Sequence, residues 1–142
     1  MCEILFRGKR KDNGEWVEGF LIGRYDPTQK ENIIKSAFID NGTCFYAPKK
    51  VIPETIGQYT GLTDKNGTKI FEGDIVKHHR TLWGADNSDV GTIQWCQKTC
   101  KFYRTSKFDT VHIVEIWEDT SEEYEVIGNI HDNPELLKGG AE

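Results

Sequence analysis

What this 142-residue chain lacks narrows its options before any motif is read. No apolar run reaches the ~18 residues that a membrane-spanning helix needs. The opening stretch "MCEILFRGKRK" puts its basic residues after a short apolar run, the wrong order for a secretory signal. Positive charge is in deficit, with 18 Lys and Arg against 23 Asp and Glu and a formal net charge of −5. Binding nucleic acid by bulk electrostatics requires Lys and Arg to displace condensed counterions, so the chain as a whole is poorly suited to it. Cysteine is sparse: Cys2, Cys44, Cys96 and Cys100 are scattered singly apart from the last two. A chain long enough to bury its own core does not depend on them, which points to free thiols in a reducing, cytoplasmic compartment. Gly-rich phosphate-cradling motifs and the Gly-x-Ser-x-Gly elbow are absent. No Pro/Gly/Ser-rich linker divides the chain, so its parts read as interdependent.

What is present is β sequence punctuated by Asn-Gly. The dipeptide occurs as Asn13-Gly14, Asn41-Gly42 and Asn66-Gly67, each time shortly after Asp and before strand-like sequence. Asn and Gly tolerate positive φ at the lowest steric cost, which is why they close hairpins. Three hairpins follow: "EILFRGK" with "EWVEGFLIG", "IIKSAFI" with "TCFYAP", and "GQYTGL" with "TKIFEGD". Further strands read from "DIVKHH", "VGTIQWCQ", "TVHIVEIW" and "EYEVIGNI", while residues 80–89 read as a loop holding Trp83. The one clear helix signal is "HDNPELLKGG", where Asn133 can cap, Pro134 suits the first helical position and Gly139 can terminate.

Candidate sites divide into turn devices and chemistry. Gly73-Asp74, entering the apolar strand "DIVK", reads as a turn in which Gly73 takes an unusual φ and the Asp74 carboxylate holds backbone amides. The catalytic alternative for Asp74 lacks a second carboxylate at short spacing other than Glu72. A metal reading would use Cys96, Cys100 and His78, since thiolate and imidazole suit zinc. Adjacent His78 and His79 on a strand point to opposite faces, and a Cys-x-x-x-Cys on a strand spreads its thiols about 13 Å apart unless "QKT" turns. A nucleophile pair of Cys44 or Cys96 with His112 has no local oxyanion device to support it. The segment "WCQKTCKFYRTSKF" interleaves Trp95, Phe102, Tyr103 and Phe108 with Lys98, Lys101, Arg104 and Lys107. It could stack and neutralise a single strand of nucleic acid, or contact a protein partner. The plainer interpretation is a twisted hairpin with aromatics in the core and basic rows in solvent. The acidic stretch "EIWEDTSEEYE" could pair with it across subunits.

The order and spacing of "FRGKRKDNGEWVEG", "GQYTGLTDKNG", "FEGDIV" and "YEVIGNIHDNPELL" resemble the YopX family of phage and prophage proteins over nearly the whole chain. The resemblance implies a β-rich fold with an SH3-like barrel in its C-terminal part and assembly into oligomers, with no catalytic or ligand-binding residues to carry over. The expectation is thus one mainly β domain spanning residues 1–142. It comprises N-terminal hairpins over about 1–60, an SH3-like small β-barrel over 61–131, and a short helix and tail over 132–142. As function, a non-enzymatic, self-associating scaffold or protein-binding module is expected in the bacterial host cytoplasm. It would form a homo-oligomer with a phage or host protein as partner, and no cofactor or membrane is implied. The alternatives are single-stranded nucleic-acid binding through residues 95–108, or a zinc protein or enzyme using Cys96, Cys100 and a histidine.

Overall fold

The computed structural model describes residues 3–25, 34–42, 48–105, 114–115 and 123–138. These are mainly β, in antiparallel sheets with a short helix near the C-terminus, and the chain divides into two compact units, Met1–Tyr59 and Thr60–Glu142. Among the described residues no helix is long and apolar enough to cross a membrane.

The first unit contains β1 (Phe6–Lys9), β2 (Trp16–Tyr25), β3 (Ile34–Asp40), β4 (Lys49–Val51), a 3-10 turn (Pro53–Thr55) and the start of β5 (Gly57–Thr63), side by side in the order β4-β3-β2-β1-β5. The β1–β2 hairpin ends at the pair Lys9↔Trp16. Its loop is closed by the Arg10 N–H donating to Glu15 O at 2.8 Å and Gly14 N–H to Arg10 O at 3.0 Å. Gly14 alone in that loop takes positive φ, at 72°; Asn13 contributes its side chain, whose Oδ1 accepts the Glu15 N–H at 2.9 Å. Period-two alternation sends Val17 and Leu21 of β2 inward, with Ile39 of β3 opposite Leu21. Val17, Ala37, Ile39 and Val51 make the core, and full burial of such an aliphatic side chain stabilises by ~1.5–3 kcal/mol. Gly8 lets that core close, because a Cβ there would stand 2.9 Å from the Val51 Cβ. The expected partner of β3, residues 43–48, lies outside the described residues apart from Pro48; β3 pairs with β2 and, through Ala37↔Val51, with β4.

The second unit takes up the rest of β5, with β6 (Lys69–Phe71) beside it, and then β7 (Asp74–His78), β8 (Thr81–Leu82), β9 (Ala85–Asp86), β10 (Asp89–Cys96), β11 (Lys101–Arg104), β12 (Val114–Glu115), β13 (Tyr124–Asn129) and α1 (Glu135–Lys138). Its main sheet has the order β12-β11-β10-β7-β13, and its core is Ile70, Val76, Ile93 and Tyr124, with Leu62, Phe102 and Val126 packed against them. Gly91 is required where β11 ends, since a Cβ there would collide with the Thr105 carbonyl. Most of the expected strand "TVHIVEIW" lies outside the described residues; Val114 and Glu115 pair with Arg104 and Tyr103. Pro134 precedes α1 as expected, but Asn133 turns its Oδ1 back to accept the Asn129 N–H at 3.3 Å.

Two expectations are corrected. The sheets are not closed into an SH3-like barrel: among the described residues β12 pairs with β11 and β13 with β7, so the ladder ends at two edges. Residues 80–89 are not a featureless loop, because Thr81↔Asp86 and Leu82↔Ala85 pair as a hairpin. Its strands are only two residues long, too short to show a period.

Candidate functional site

A polar row crosses the main sheet of the second unit. Asp89 of β10 faces His78 of β7, and His78 faces Tyr124 of β13; directly opposed residues of antiparallel strands share a face. Arg104 of β11 stands two residues from Phe102 on that face, and its Nη1 donates to Asp89 Oδ2 at 2.9 Å and to the Thr105 carbonyl at 3.2 Å. Arg104 is 3% and Asp89 5% exposed. The pair is thus shielded from solvent, and loss of either partner would strand a buried charge. The guanidinium also lies 5.7 Å from the Tyr124 ring centroid, on whose other neighbour, His78, the rings are 4.8 Å apart at 33°. His78 Nε2 is 2.7 Å from Glu123 Oε2, while its Nδ1 is buried with no partner. That is the orienting half of an acid–base dyad without the other half, since no hydroxyl or thiol among the described residues reaches Nδ1.

Two carboxylates that precede strands serve the backbone. Asp74 Oδ2 accepts the Phe71 N–H at 2.7 Å, and Gly73 takes φ 89°, its N–H donating to Ile93 O at 2.8 Å. Asp64, buried at the third Asn-Gly turn, accepts the Asn66 and Thr68 N–H groups on Oδ1 and the Val126 N–H on Oδ2, each at 2.9 Å. Gly67 beside it has φ 81°, and Gly42, after Asn41, has φ 74°. His79 Nε2 lies 2.7 Å from Glu125 Oε2, with Lys65 Nζ 3.7 Å from the same oxygen. The His79 hydrogen bond, helped by the charges of Lys65, His79 and Lys77, holds the Glu125 carboxyl below its ordinary range against an opposing desolvation.

The basic-aromatic segment is split between two faces. Trp95 and Phe102 pair across β10 and β11, edge to face at 4.9 Å and 65°, and Phe102 packs on the core. Trp95 remains 38% exposed, its Nε1 donating to Gln97 Oε1 at 3.1 Å. Tyr103 points the other way and donates to Gln94 Oε1 at 2.8 Å. Lys98 and Lys101 are exposed, Arg104 is buried, and Lys107 and Phe108 lie outside the described residues. Alternation could have separated Arg104 from the surface set, because it shares a face with Phe102.

The turn that "QKT" needed does form, over residues 97–100, with Cys100 at φ 53°. Cys96 and Cys100 are free thiols, and the Thr99 hydroxyl and N–H, with Lys98 adding to them, draw the Cys96 thiol below its ordinary pKa. His78 is not near them: it faces Asp89, at the opposite end of β10 from Cys96. Among the described residues no group of three or more His, Cys, Asp or Glu is arranged to hold a metal ion. Cys44 and His112 lie outside the described residues.

Among the described residues several large apolar side chains are exposed, two pairs of them neighbours on one element. Trp83 is 98% exposed at the tip of the β8–β9 hairpin, with half-exposed Leu82 beside it. Trp83 and Gly84 have φ of 51° and 78°, the primed turn geometry that matches strand twist, at a cost of roughly 1–2 kcal/mol for a residue other than glycine. In the first unit Phe20, 69% exposed, and Ile22 project together from the outer face of β2.

Comparison with known proteins agrees with the architecture. A family model described as YopX protein matches residues 5–138. No curated protein matches the chain. Among solved structures, the crystal structure of protein EF1440 from Enterococcus faecalis is similar at 27% identity and a TM-score of 0.57, over 96% of this chain and 99% of that one.

Proposed function

Since the chain belongs to the YopX family, whose model spans residues 5–138, we propose that it is a non-enzymatic interaction module that self-associates, working in the cytoplasm of a bacterial host of phage or prophage. The observation that carries this reading is Trp83. An indole 98% exposed, held at positive φ beside exposed Leu82, spends stability on a residue type that serves best as an interface anchor. Among the described residues β12 and β13 end the main sheet; as edges they would give a second copy backbone to pair with, and closed symmetry is the usual way such edges are removed. The nucleic-acid alternative is weaker, because Arg104, one of its cations, is committed to Asp89.

Native mass spectrometry and sedimentation of the untagged chain test the proposal. A closed oligomer is expected at micromolar concentration, and Trp83→Ala is expected to weaken it about thirtyfold, the cost of about 2 kcal/mol at a central aromatic anchor. The same variant should leave unfolding within about 0.5 kcal/mol of the parent, because the side chain has almost nothing to pack on. A strict monomer would sink the reading.

A further inference from the structure

In the first unit the outer face of β2 carries Phe20 and Ile22 at alternate positions, about 7 Å apart along the strand. Phe38 of β3 stands opposite Ile22 and shares that face, so three apolar side chains line up there. Their border is polar: Asp40 lies opposite Phe20, exposed Lys50 of β4 lies opposite Phe38, and exposed Glu18 precedes Phe20 on β2. An apolar centre inside a charged rim is the anatomy of a protein interface. Strand addition is not how such a face is covered, because β2 already has β1 on one side and β3 on the other. It needs side chains that project onto it.

The second unit supplies them. Among the described residues β8 and β9 pair with each other alone, and their tip carries Leu82 and Trp83 in solvent. Charge decides between the two ways that copies of the chain could use this tip. The first unit has nine Lys and Arg against eight Asp and Glu, a net +1, and the second has nine against fifteen, a net −6. A two-fold contact of tip with tip would set −6 against −6, whereas tip against β2 brings opposite signs together. We propose that the tip of one copy, Leu82 and Trp83, docks on the Phe20 and Ile22 face of a second copy, so that the chains join head to tail. Fully covered, Trp83 and Phe20 each bury roughly 150–250 Å2. That suffices for the centre of an interface of about 800 Å2 per partner. A head-to-tail contact closes into a ring when its rotation allows. The inference rests on the self-association proposed above and adds the surface that receives Trp83.

Mixing two defective variants of the full chain tests it, read by sedimentation and native mass spectrometry. Trp83→Ala keeps the face and loses the tip; Phe20→Thr with Ile22→Thr keeps the tip and loses the face, all at exposed positions. Each alone is expected to associate at least about thirtyfold more weakly than the parent. Their equimolar mixture should form a one-to-one dimer of parental affinity that grows no further, because one tip and one face remain intact. Misfolding cannot imitate that recovery. The inference is overturned, with self-association left standing, if the parent oligomer survives the Phe20 and Ile22 substitutions or if the two variants do not recover each other. A parent that is monomeric at micromolar concentration overturns both.

Discussion

The core of Met1–Tyr59 is aliphatic, built from Val17, Ala37, Ile39 and Val51; no charged residue among those described there is buried as a whole, though Nε and Nη2 of Arg7, beside the Trp16 ring, are shielded from solvent. In Thr60–Glu142 the charges go inside: Arg104, Asp89, Asp64, Asp74 and His78 are all buried alongside Ile70, Val76, Ile93 and Tyr124. The first unit has nine Lys and Arg against eight Asp and Glu; the second has nine against fifteen, so the first is weakly positive and the second carries more than the whole of the net −5. Aliphatic packing tolerates volume-conserving change, whereas a buried ion pair demands both partners and correct geometry. The difference teaches where each unit is vulnerable: the first to lost volume, the second to lost partners.

Breaking the buried pair should give the largest effect. Arg104→Ala is expected to cost ~3–5 kcal/mol in urea denaturation, because Asp89 would remain buried and uncompensated. Replacing Arg104 with Met and Asp89 with Leu together should recover much of that loss. A double variant as unstable as the single one would mean that the pair matters for shape rather than charge. Next comes Asp64→Ala, which strips acceptors from the Asn66, Thr68 and Val126 N–H groups and should cost about 1–3 kcal/mol. Hydrogen exchange should then rise first at Val126, the half-buried one of those amides that is far away in sequence. The smallest effect is a pH effect at Glu125. Its folded pKa is depressed below the ordinary 4.5, so its contribution is present above that value and fades as pH falls through the folded pKa. Glu125→Gln should therefore flatten the acid limb of a stability-versus-pH curve and leave stability near neutrality slightly lowered. An unchanged acid limb would show that the His79 contact contributes nothing in solution.

How much of this could be read from the sequence depended on whether the cause was local. Gly14, Gly42, Gly67 and Gly73 need positive φ, a requirement of one residue, and so the turns announced themselves. Pro134 before α1 is local in the same way. The open ends of the main sheet were not legible, because closure depends on which edges meet across the unit rather than on any segment. Nor was the Arg104–Asp89 pair, whose members are 15 residues apart, or His78 with Glu123, separated by 45. In the Trp95–Arg104 stretch the hairpin is legible, but basic composition alone does not separate Arg104 from the solvated cations. Once its strands are taken as alternating, Phe102 and Arg104 go in together while Lys101 and Tyr103 go out.

Asp64 has a consequence in time as well as in space. Its carboxylate waits for the Val126 N–H, 62 residues further along, and at ~5–20 residues per second a ribosome needs roughly 3–12 s to supply it. Over that interval β7 has no β13 beside it, while the hairpins of the first unit have every partner they need. The nascent second unit therefore passes through a stage with an inner strand that has β10 on one side and nothing yet on the other, and with an unfilled carboxylate, and folding cannot finish until the far end of its chain emerges.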